Sequence, residues 1–261
     1  MSAKLTLISP AQFNSFSELC PENPAGNLKR FTSGKNFTSA DFEYYFAASS
    51  LFSSKIEGNS LDLNSFMRDR GQRSSAKRKE MQEIEDLVEA YKFAKTHKFN
   101  QQNFLESHRL LAATLLRTPD RGKYRRKQIG VFDQATGRPV YLAIEPEFVK
   151  TEMDKLFGDI TLLLKRKLSY KEIFYYASML HLWIAMIHPF ADGNGRSARL
   201  AEKWFLASKL GTEIWAINSE KYYWDNRENY YKNISLGYNY YALYWERAIP
   251  FLLMFSKSLQ D

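Results

Sequence analysis

The stretch His188-Pro-Phe-Ala-Asp192-Gly-Asn194-Gly-Arg196-Ser-Ala-Arg199 links the end of one predicted helix to the start of the next. The helix before it opens with the capping box Ser169-Tyr-Lys-Glu172 and carries a regular apolar stripe. Pro189 should end that helix, which places His188 at its C-terminal boundary. The helix after it should begin near Arg196 and stop at Gly211. The sequence thus predicts a helix–loop–helix unit with a polar loop.

The residue types in this loop suit a bound polyphosphate. Gly193-Asn194-Gly195 lets the backbone bring several N–H groups close to one point, and the helix start that follows adds unpaired donors. Arg196 and Arg199 lie on one side of the first helical turn, and their planar donor groups match phosphate oxygens. Asp192 is a hard oxygen ligand that is well placed to share Mg²⁺ with phosphates.

His188 is the candidate base, since a histidine can be neutral near pH 7 and accept a proton from a hydroxyl. Its place at a helix C-terminus should favour the protonated form and make it a better base. Gly193-x-Gly195-x-x-Ala198 also fits a dinucleotide fingerprint. We reject that interpretation because the fingerprint needs a preceding strand, whereas the element before this loop is a capped helix. His181 lies about 10 Å from His188 along the helix and is predicted to be a core histidine.

Composition bounds the class of protein. The chain has 261 residues with 44% hydrophobic residues, and its single cysteine, Cys20, excludes an internal disulfide and fits a reducing compartment. No stretch is long enough to span a membrane, so we expect a cytoplasmic protein. The net charge is +8, concentrated at 68–79 and 117–127, without a nucleic-acid-binding motif. We therefore do not expect nucleic acid as the main partner; acidic protein partners, nucleotide substrates or simply a solvated basic face stay open.

Most of the remaining chain has helical periodicity. The run 65–79 is polar and basic, as in a mobile loop or the solvated start of the next helix. One segment has the residue preferences of a short β-hairpin. The predicted elements are helices at Asp41–Glu57, Glu80–Lys95 and Phe104–Leu116, strands at Gln128–Phe132 and Arg138–Ile144, and a buried helical region at Tyr222–Phe255.

The loop matches the signature H-x-F-x-[D/E]-G-N-G-R-x-x-R, and with the hairpin and helix pair it resembles Fic-domain proteins. The resemblance implies a mainly α fold, a Fic-type helical bundle with a short β-hairpin flap, with an N-terminal helical region at 1–98 and the Fic domain at 99–261. It also implies a protein adenylyltransferase, which transfers AMP from ATP to a hydroxyl of a target protein. An enzyme that moves another phosphate-containing group or removes AMP, and a nucleotide-sensing module without turnover, remain as alternatives.

The same resemblance implies a role for each residue of the motif. His188 would deprotonate the target hydroxyl, and Asp192 would hold Mg²⁺ between the α- and β-phosphates. The backbone from Gly193 to Gly195, with Asn194, would form an anion hole. Arg196 would contact the inner phosphates and Arg199 the γ-phosphate, while Phe190 would be a buried wedge. The predicted nucleotide-binding residues are Asp192, Gly193, Asn194, Gly195, Arg196, Ser197, Ala198, Arg199, Tyr230, Tyr231 and Asn239, the last three beside the adenine.

A second motif, Ser53-Ser-Lys-Ile-Glu57-Gly58, resembles the inhibitory [S/T]-x-x-x-E-[G/N] helix of the same family, in a helix at about 41–58. A carboxylate in the last turn of a helix opposes the macrodipole, so Glu57 needs a cation from another element. The resemblance implies that this cation is Arg199, whose guanidinium would otherwise bind the γ-phosphate. ATP would still bind, with its α-phosphate turned away from in-line attack.

Three further expectations follow from this resemblance. Ser53 should hydrogen-bond Glu57 and orient it. The target protein should dock along the hairpin near 129–141 by strand addition. We expect ATP with Mg²⁺ as the substrate, and a homo-oligomer stays open.

Overall fold

The chain folds as a mainly α protein, and its computed structural model describes residues 4–20, 26, 28–29, 33–34, 36–68, 75–132 and 136–259. Short 3₁₀ turns lie at Thr118–Asp120, Thr212–Ala216 and Trp245–Arg247. The α-helices are α1 Phe13–Leu19, α2 Ser39–Ile56, α3 Leu63–Arg68, α4 Ser75–Thr96, α5 Gln101–Leu111, α6 Pro146–Lys165, α7 Tyr170–Ile187, α8 Asn194–Leu210, α9 Ser219–Asp225, α10 Arg227–Ile234, α11 Ile249–Leu252 and α12 Met254–Lys257. The predicted fold class is confirmed. No helix in these ranges is long and apolar enough to cross a membrane.

The β-structure is one antiparallel hairpin, with β1 at Gly130–Phe132 and β2 at Pro139–Leu142. Both strands are shorter than predicted, and residues 133–135 of the predicted connection lie outside the described residues. The hairpin is held against the helical body, because the Tyr141 hydroxyl donates to the Met186 carbonyl at 2.8 Å. Leu142 also pairs with the segment around Asn239.

Helices α7 and α8 form the predicted helix–loop–helix unit. The capping box at Ser169 is present, with both reciprocal hydrogen bonds to Glu172. Helix α7 ends at Ile187, and His188 is its C-cap, as predicted. Helix α8 starts at Asn194, two residues before the predicted start, and ends at Leu210 with Gly211 as its C-cap, where φ is 107°.

Helix α2 is packed deep in the protein. It begins with a second capping box, between Thr38 and Asp41. Four small residues of its second half are almost completely buried, which lets its backbone approach neighbouring helices closely: Ser49, Ser50, Ser53 and Ser54. One hydrophobic cluster contains Phe46 and Tyr91 as well as Phe104 and Trp204. The division at residue 98 stays a prediction, since this cluster extends across it.

Two predicted helical regions depart from expectation. Helix α5 ends at Leu111 rather than Leu116, and the N–H of Thr114 instead donates to the Asp86 carboxylate at 2.7 Å. Residues 235–248 contain no α-helix, although the whole of Tyr222–Phe255 was predicted to be helical and buried. A turn closes at Gly237, where a Cβ atom would lie 1.9 Å from the Ala242 carbonyl oxygen. That turn leaves Tyr238 80% exposed.

The basic run at 65–79 is only partly described. Residues 69–74 lie outside the described residues. Helix α4 begins at Ser75, and residues 77–79 at its start are exposed. For this end of the run, the interpretation as the solvated start of a helix is confirmed.

Candidate active site

His188 closes α7 in the left-handed conformation, with φ 52° and ψ 61°. No other non-glycine residue in the described part of the chain has a positive φ. The Nδ1 atom of His188 lies 3.2 Å from the Ala185 carbonyl oxygen. Because a carbonyl can only accept, this contact places the ring proton on Nδ1 and leaves the lone pair on Nε2. His188 therefore has the tautomer of a base that acts through Nε2.

The protonation of His188 differs from the expectation. Burial lowers the pKa of His188, and the positive charge of Arg125 lowers it further, against opposing effects of Ala185, Glu57 and Asp192. The prediction that the helix C-terminus would favour the protonated form was wrong, because burial outweighs the helix end. The imidazole is consequently neutral near pH 7 and ready to accept a proton.

Phe190 is the buried wedge of the loop, as predicted. Its side chain is 0% exposed and its ring stacks on His108, with centroids 3.5 Å apart. The Asn194 side chain accepts from the Phe190 N–H at 2.8 Å and donates to the Phe190 carbonyl at 2.9 Å. The side-chain amide of Asn194 is thus engaged within the loop. An anion at this turn would therefore be bound by main-chain N–H groups.

His108 is a site residue that no sequence pattern indicated. It is buried, and burial lowers its pKa to about 4, so it is neutral. Its Nδ1 accepts from the Gly122 N–H at 3.0 Å, and its Nε2 donates to the Asp192 carbonyl at 3.0 Å. His108 therefore holds the loop main chain just before Gly193, whose φ is 78°.

Arg199 meets the acidic end of α2. The Nη2 atom of Arg199 lies 2.7 Å from Oε1 of Glu57, whose side chain is 31% exposed while that of Arg199 is 1% exposed. Burial alone would raise the pKa of Glu57, but the positive charges of Arg199 and Arg196 outweigh it and hold the pKa below its usual range. Glu57 is the C-cap of α2, and Gly58 after it has a φ of 102°.

Ser53 also contacts this guanidinium. Its hydroxyl accepts from Nε of Arg199 at 2.8 Å, and its carbonyl accepts from Nη2 at 3.0 Å. The expectation was that Ser53 would hydrogen-bond Glu57 instead. The structure gives it a different partner because Ser53 is completely buried on the side of α2 that faces Arg199.

The Glu57 carboxylate lies directly against the glycine turn. A Cβ atom added at Gly195 would lie 2.3 Å from Oε1 of Glu57, so only a glycine leaves room for the carboxylate. A carboxylate, like a phosphate, is an anionic acceptor that suits a helix start beside an arginine. The cradle at Gly195 therefore accommodates an anion.

Arg196 is paired with a second carboxylate, which sequence reasoning missed. Its Nη2 lies 3.2 Å from Oε2 of Glu83, and both side chains are largely buried. Its Nε atom is buried and has no hydrogen-bond partner among the described residues. Burial raises the pKa of Glu83, although the positive charges of Arg196 and Lys79 oppose this. Glu83 lies on α4 and belongs to no motif, so only its position in the fold identifies it.

The predicted adenine-side residues lie in two places. The Tyr230 hydroxyl accepts from Nη1 of Arg199 at 3.1 Å, and the Tyr231 hydroxyl donates to the Ile56 carbonyl at 2.7 Å. Asn239 instead lies beside the hairpin, where its side chain accepts from the N–H of Tyr241 at 2.9 Å. The roles of all three residues toward adenine stay predictions.

His181 is the core histidine that the sequence predicted. It is completely buried, and its Nδ1 lies 2.8 Å from the Glu202 carboxylate. Its Nε2 contacts the Tyr230 hydroxyl at 3.0 Å, so it lies behind the arginine site.

The other predicted residues of the loop are Asp192, Ser197 and Ala198. Asp192 is exposed, and its Oδ1 accepts from the Gly193 N–H at 2.6 Å. Ser197 and Ala198 are buried in α8. Within the described residues, no group of three or more His, Cys, Asp or Glu side chains could hold a metal ion. A single carboxylate such as that of Asp192 is compatible with Mg²⁺, because Mg²⁺ often takes one carboxylate together with phosphate oxygens and water.

Residues 98–206 match the Fic/DOC family. A Fic family protein from Desulfovibrio desulfuricans has a TM-score of 0.75 and 20% identity, with 100% of this chain and 74% of that chain covered. A Fic domain containing signaling protein from Bacteroides thetaiotaomicron has a TM-score of 0.62 and 21% identity, with 96% and 92% covered. Fic-1 from C. elegans has a TM-score of 0.60 and 18% identity, with 96% and 68% covered. No curated protein matches the chain.

Proposed function

This chain carries a Fic/DOC family domain, and on that premise we propose that it is a protein adenylyltransferase that its own Glu57 inhibits. In the proposed reaction, AMP moves from ATP to a hydroxyl side chain of a target protein. The observation that carries the proposal is the position of the Glu57 carboxylate, an anion that lies against Gly195 and on Arg199. A helix start with a glycine and an arginine is where phosphate oxygens would bind.

His188 would start the transfer. Its Nε2 accepts the proton of the target hydroxyl while the hydroxyl oxygen attacks the α-phosphorus of ATP. The new oxygen–phosphorus bond forms as the bond from the α-phosphorus to the bridging oxygen breaks, and pyrophosphate leaves with that electron pair. The proton on His188 then passes to water. The lowered pKa of His188 supports this role, because the base must be neutral before the reaction.

The remaining loop residues would bind and orient the triphosphate. The main chain from Gly193 to Gly195 would donate to phosphate oxygens, and Arg196 would contribute its unpartnered Nε. Asp192 would hold Mg²⁺, which when bound neutralises part of the phosphate charge. Arg199 would bind the γ-phosphate and so set the direction of the α-phosphate relative to His188.

Inhibition would follow from competition for Arg199. All three nitrogens of its guanidinium already have partners, namely Ser53, Tyr230 and Glu57. A γ-phosphate can replace only the partner that can move away. Glu57 is that partner, because its side chain is 31% exposed at the end of α2 whereas Ser53 and Tyr230 are buried.

The proposal is tested by incubating the wild-type protein and Glu57→Gly with α-labelled ATP and Mg²⁺, alone and with a cell lysate. Glu57→Gly should label itself or a lysate protein by the mass of one AMP, and the wild type should label far less. Glu57→Gln removes the charge but keeps the bulk beside Gly195, so it should activate less than Glu57→Gly. Glu57→Gly/His188→Ala should be inactive although it binds ATP.

Other outcomes would select the alternatives. A modified target with a different mass shift would indicate transfer of another phosphate-containing group. Release of AMP from a modified target by the wild type would indicate removal. Tight ATP binding by Glu57→Gly without any transfer would refute the enzyme proposal and favour a nucleotide-sensing module.

A further inference from the structure

Arg125 is a buried cation behind the loop of the candidate active site. It is 5% exposed, and among the described residues no carboxylate lies within ion-pair distance of it. Burial lowers the pKa of its guanidinium. The negative charge of Glu145 acts on Arg125 only from beyond ion-pair distance. A buried charge without a direct ion pair needs several hydrogen-bond acceptors in compensation. Burying the Arg125 guanidinium therefore costs free energy, which the hydrogen bonds of its donors must offset.

The acceptors of Arg125 are main-chain carbonyls from two parts of the fold. Its Nε donates to the His188 carbonyl at 2.7 Å, and its own main-chain N–H donates to the Pro189 carbonyl at 2.9 Å. Its Nη1 donates to the Lys127 carbonyl at 2.9 Å, and its Nη2 donates to the Ile144 carbonyl. Lys127 lies just before β1 and Ile144 just after β2, so one side chain joins both ends of the hairpin to the end of α7.

The Arg125 contacts act on the main chain of His188, which has an unfavourable conformation. His188 has a φ of 52°, in the left-handed region that residues with a Cβ disfavour. Such a conformation persists only where its surroundings hold it, and the Arg125 bond to the His188 carbonyl is directed at that peptide. Since the ring direction follows from the backbone, the Arg125 contacts also set where Nε2 lies.

We propose that Arg125 is a positioning residue, which holds the main chain of His188 in its left-handed conformation and joins both ends of the hairpin to it. This inference rests on the proposed function, in which His188 is the base and the target lies along the hairpin. A target segment on the hairpin is then held at a set distance from the His188 ring. Arg125 is buried and its donors are engaged with main-chain carbonyls, so it would act through His188 and the hairpin.

The test compares Arg125→Met and Arg125→Lys with matched changes at Arg126, the neighbouring arginine, which is exposed. The first measurement does not need activity. The chain has four histidines, so the ring ¹⁵N signals of His188 can be assigned by NMR. We expect them to move in both Arg125 variants while those of His181 stay in place. Amide exchange in the hairpin should quicken on the order of 10-fold.

The second measurement uses the same variants in the Glu57→Gly background. Misplacing the base should lower kcat on the order of 10- to 100-fold while the Kd of Mg–ATP stays unchanged. Arg125→Lys keeps a positive charge and one donor group, so it provides a folded variant if Arg125→Met does not fold. Changes at Arg126 should leave the His188 ring signals, the amide exchange of the hairpin and kcat at the level of the protein with Arg126 intact.

The two hypotheses fail separately. Unchanged His188 signals and unchanged hairpin exchange in a folded Arg125 variant would overturn the positioning role, whatever the transfer activity. Loss of ATP binding in proportion to kcat would also overturn it, because a general structural defect would then explain the result. If Glu57→Gly with Arg125 intact transfers nothing, the proposed function fails while the NMR result still decides the role of Arg125.

Discussion

The hydroxyl of Ser53 accepts a hydrogen bond of 2.8 Å from Nε of Arg199, and one turn earlier the hydroxyl of Ser49 accepts one of 2.9 Å from Lys203. Helix α2 is thereby attached to α8 at two successive turns, through cations that are themselves buried. Withdrawal of the whole helix would leave both cations without these partners. We therefore expect Arg199 to be released by movement of the Glu57 end of α2, while the rest of the helix stays in place.

Ser53→Ala should weaken the hold on Arg199. The change leaves the buried Nε of Arg199 without an acceptor, which costs about 1–3 kcal/mol. We expect a lower Tm and AMP transfer above the wild-type level but below that of Glu57→Gly. The matched control is Ser54→Ala, because the Ser54 hydroxyl is buried without a hydrogen-bond partner. Equal effects of the two changes in thermal melts and transfer assays would contradict the role of Ser53.

Gly195→Ala should be harmful only when Glu57 is present. In the wild type the added Cβ would lie 2.3 Å from Oε1 of Glu57 and must displace the carboxylate. In the Glu57→Gly background that clash is absent, and the remaining tight contact is with Nη1 of Arg199, 3.2 Å from the added Cβ atom. Alanine is also the better helix former, by about 1 kcal/mol inside a helix. Denaturant unfolding of the four proteins forms a double-mutant cycle, for which we expect a coupling of at least about 1 kcal/mol. Additive effects would show that Glu57 does not lie at the turn in solution.

Glu83→Gln should reduce the affinity for Mg–ATP. Arg196 has one hydrogen bond to Glu83 at 3.2 Å and a free Nε, so Glu83 holds one edge of the guanidinium while the other stays available to phosphate. Loss of about 1 kcal/mol of charge-assisted bonding corresponds to roughly a 5-fold rise in Kd. Glu85→Gln, two residues along α4, is the control for titration calorimetry. Tighter ATP binding by Glu83→Gln would instead mean that Glu83 competes with phosphate.

The transfer rate should rise with pH as His188 loses its proton, with a midpoint on the acid side of the usual histidine pKa. The base must be neutral, and burial places the pKa of His188 below the usual histidine value of about 6.5. The rate of Glu57→Gly at saturating Mg–ATP should therefore rise with pH and be half-maximal below pH 6.5. Mg–ATP binding measured over the same range separates this from titration of the nucleotide. A midpoint above pH 6.5 would contradict this prediction. It would mean that the helix C-terminus raises the pKa of His188 more than burial lowers it.

Lys203→Met should destabilise the protein strongly. Lys203 donates to Glu220 at 2.6 Å, and both side chains are completely buried. Removing one partner leaves an uncompensated buried charge, at a cost of about 3–5 kcal/mol. The double variant Lys203→Met/Glu220→Gln removes that charge and should recover much of the loss in urea unfolding. Lys221→Met, which breaks only an exposed pair, should change the stability by no more than about 1 kcal/mol.

Local rules in the sequence account for the frame of the site. The capping box at Ser169, the stop at Pro189 and the glycine at 211 bound the two helices because caps and helix breakers act within one turn of the chain. The same reasoning placed His188 at a helix end and marked the hairpin. The likeness to a family motif brought Glu57 and Arg199 together, 142 residues apart in sequence.

Burial and contacts between distant segments were decided by the tertiary structure alone. The direction of the His188 pKa shift depends on how much of the ring the fold covers, and periodicity does not report this for a residue in a loop. Glu83, His108 and Arg125 belong to no motif, because each acts through partners at least 60 residues away or through main-chain carbonyls. The chain thus specified by itself which chemical groups are present and where α7, the helix that carries His188, begins and ends. Packing alone determined which of those groups meet and whether they are charged, since both depend on what the fold removes from water.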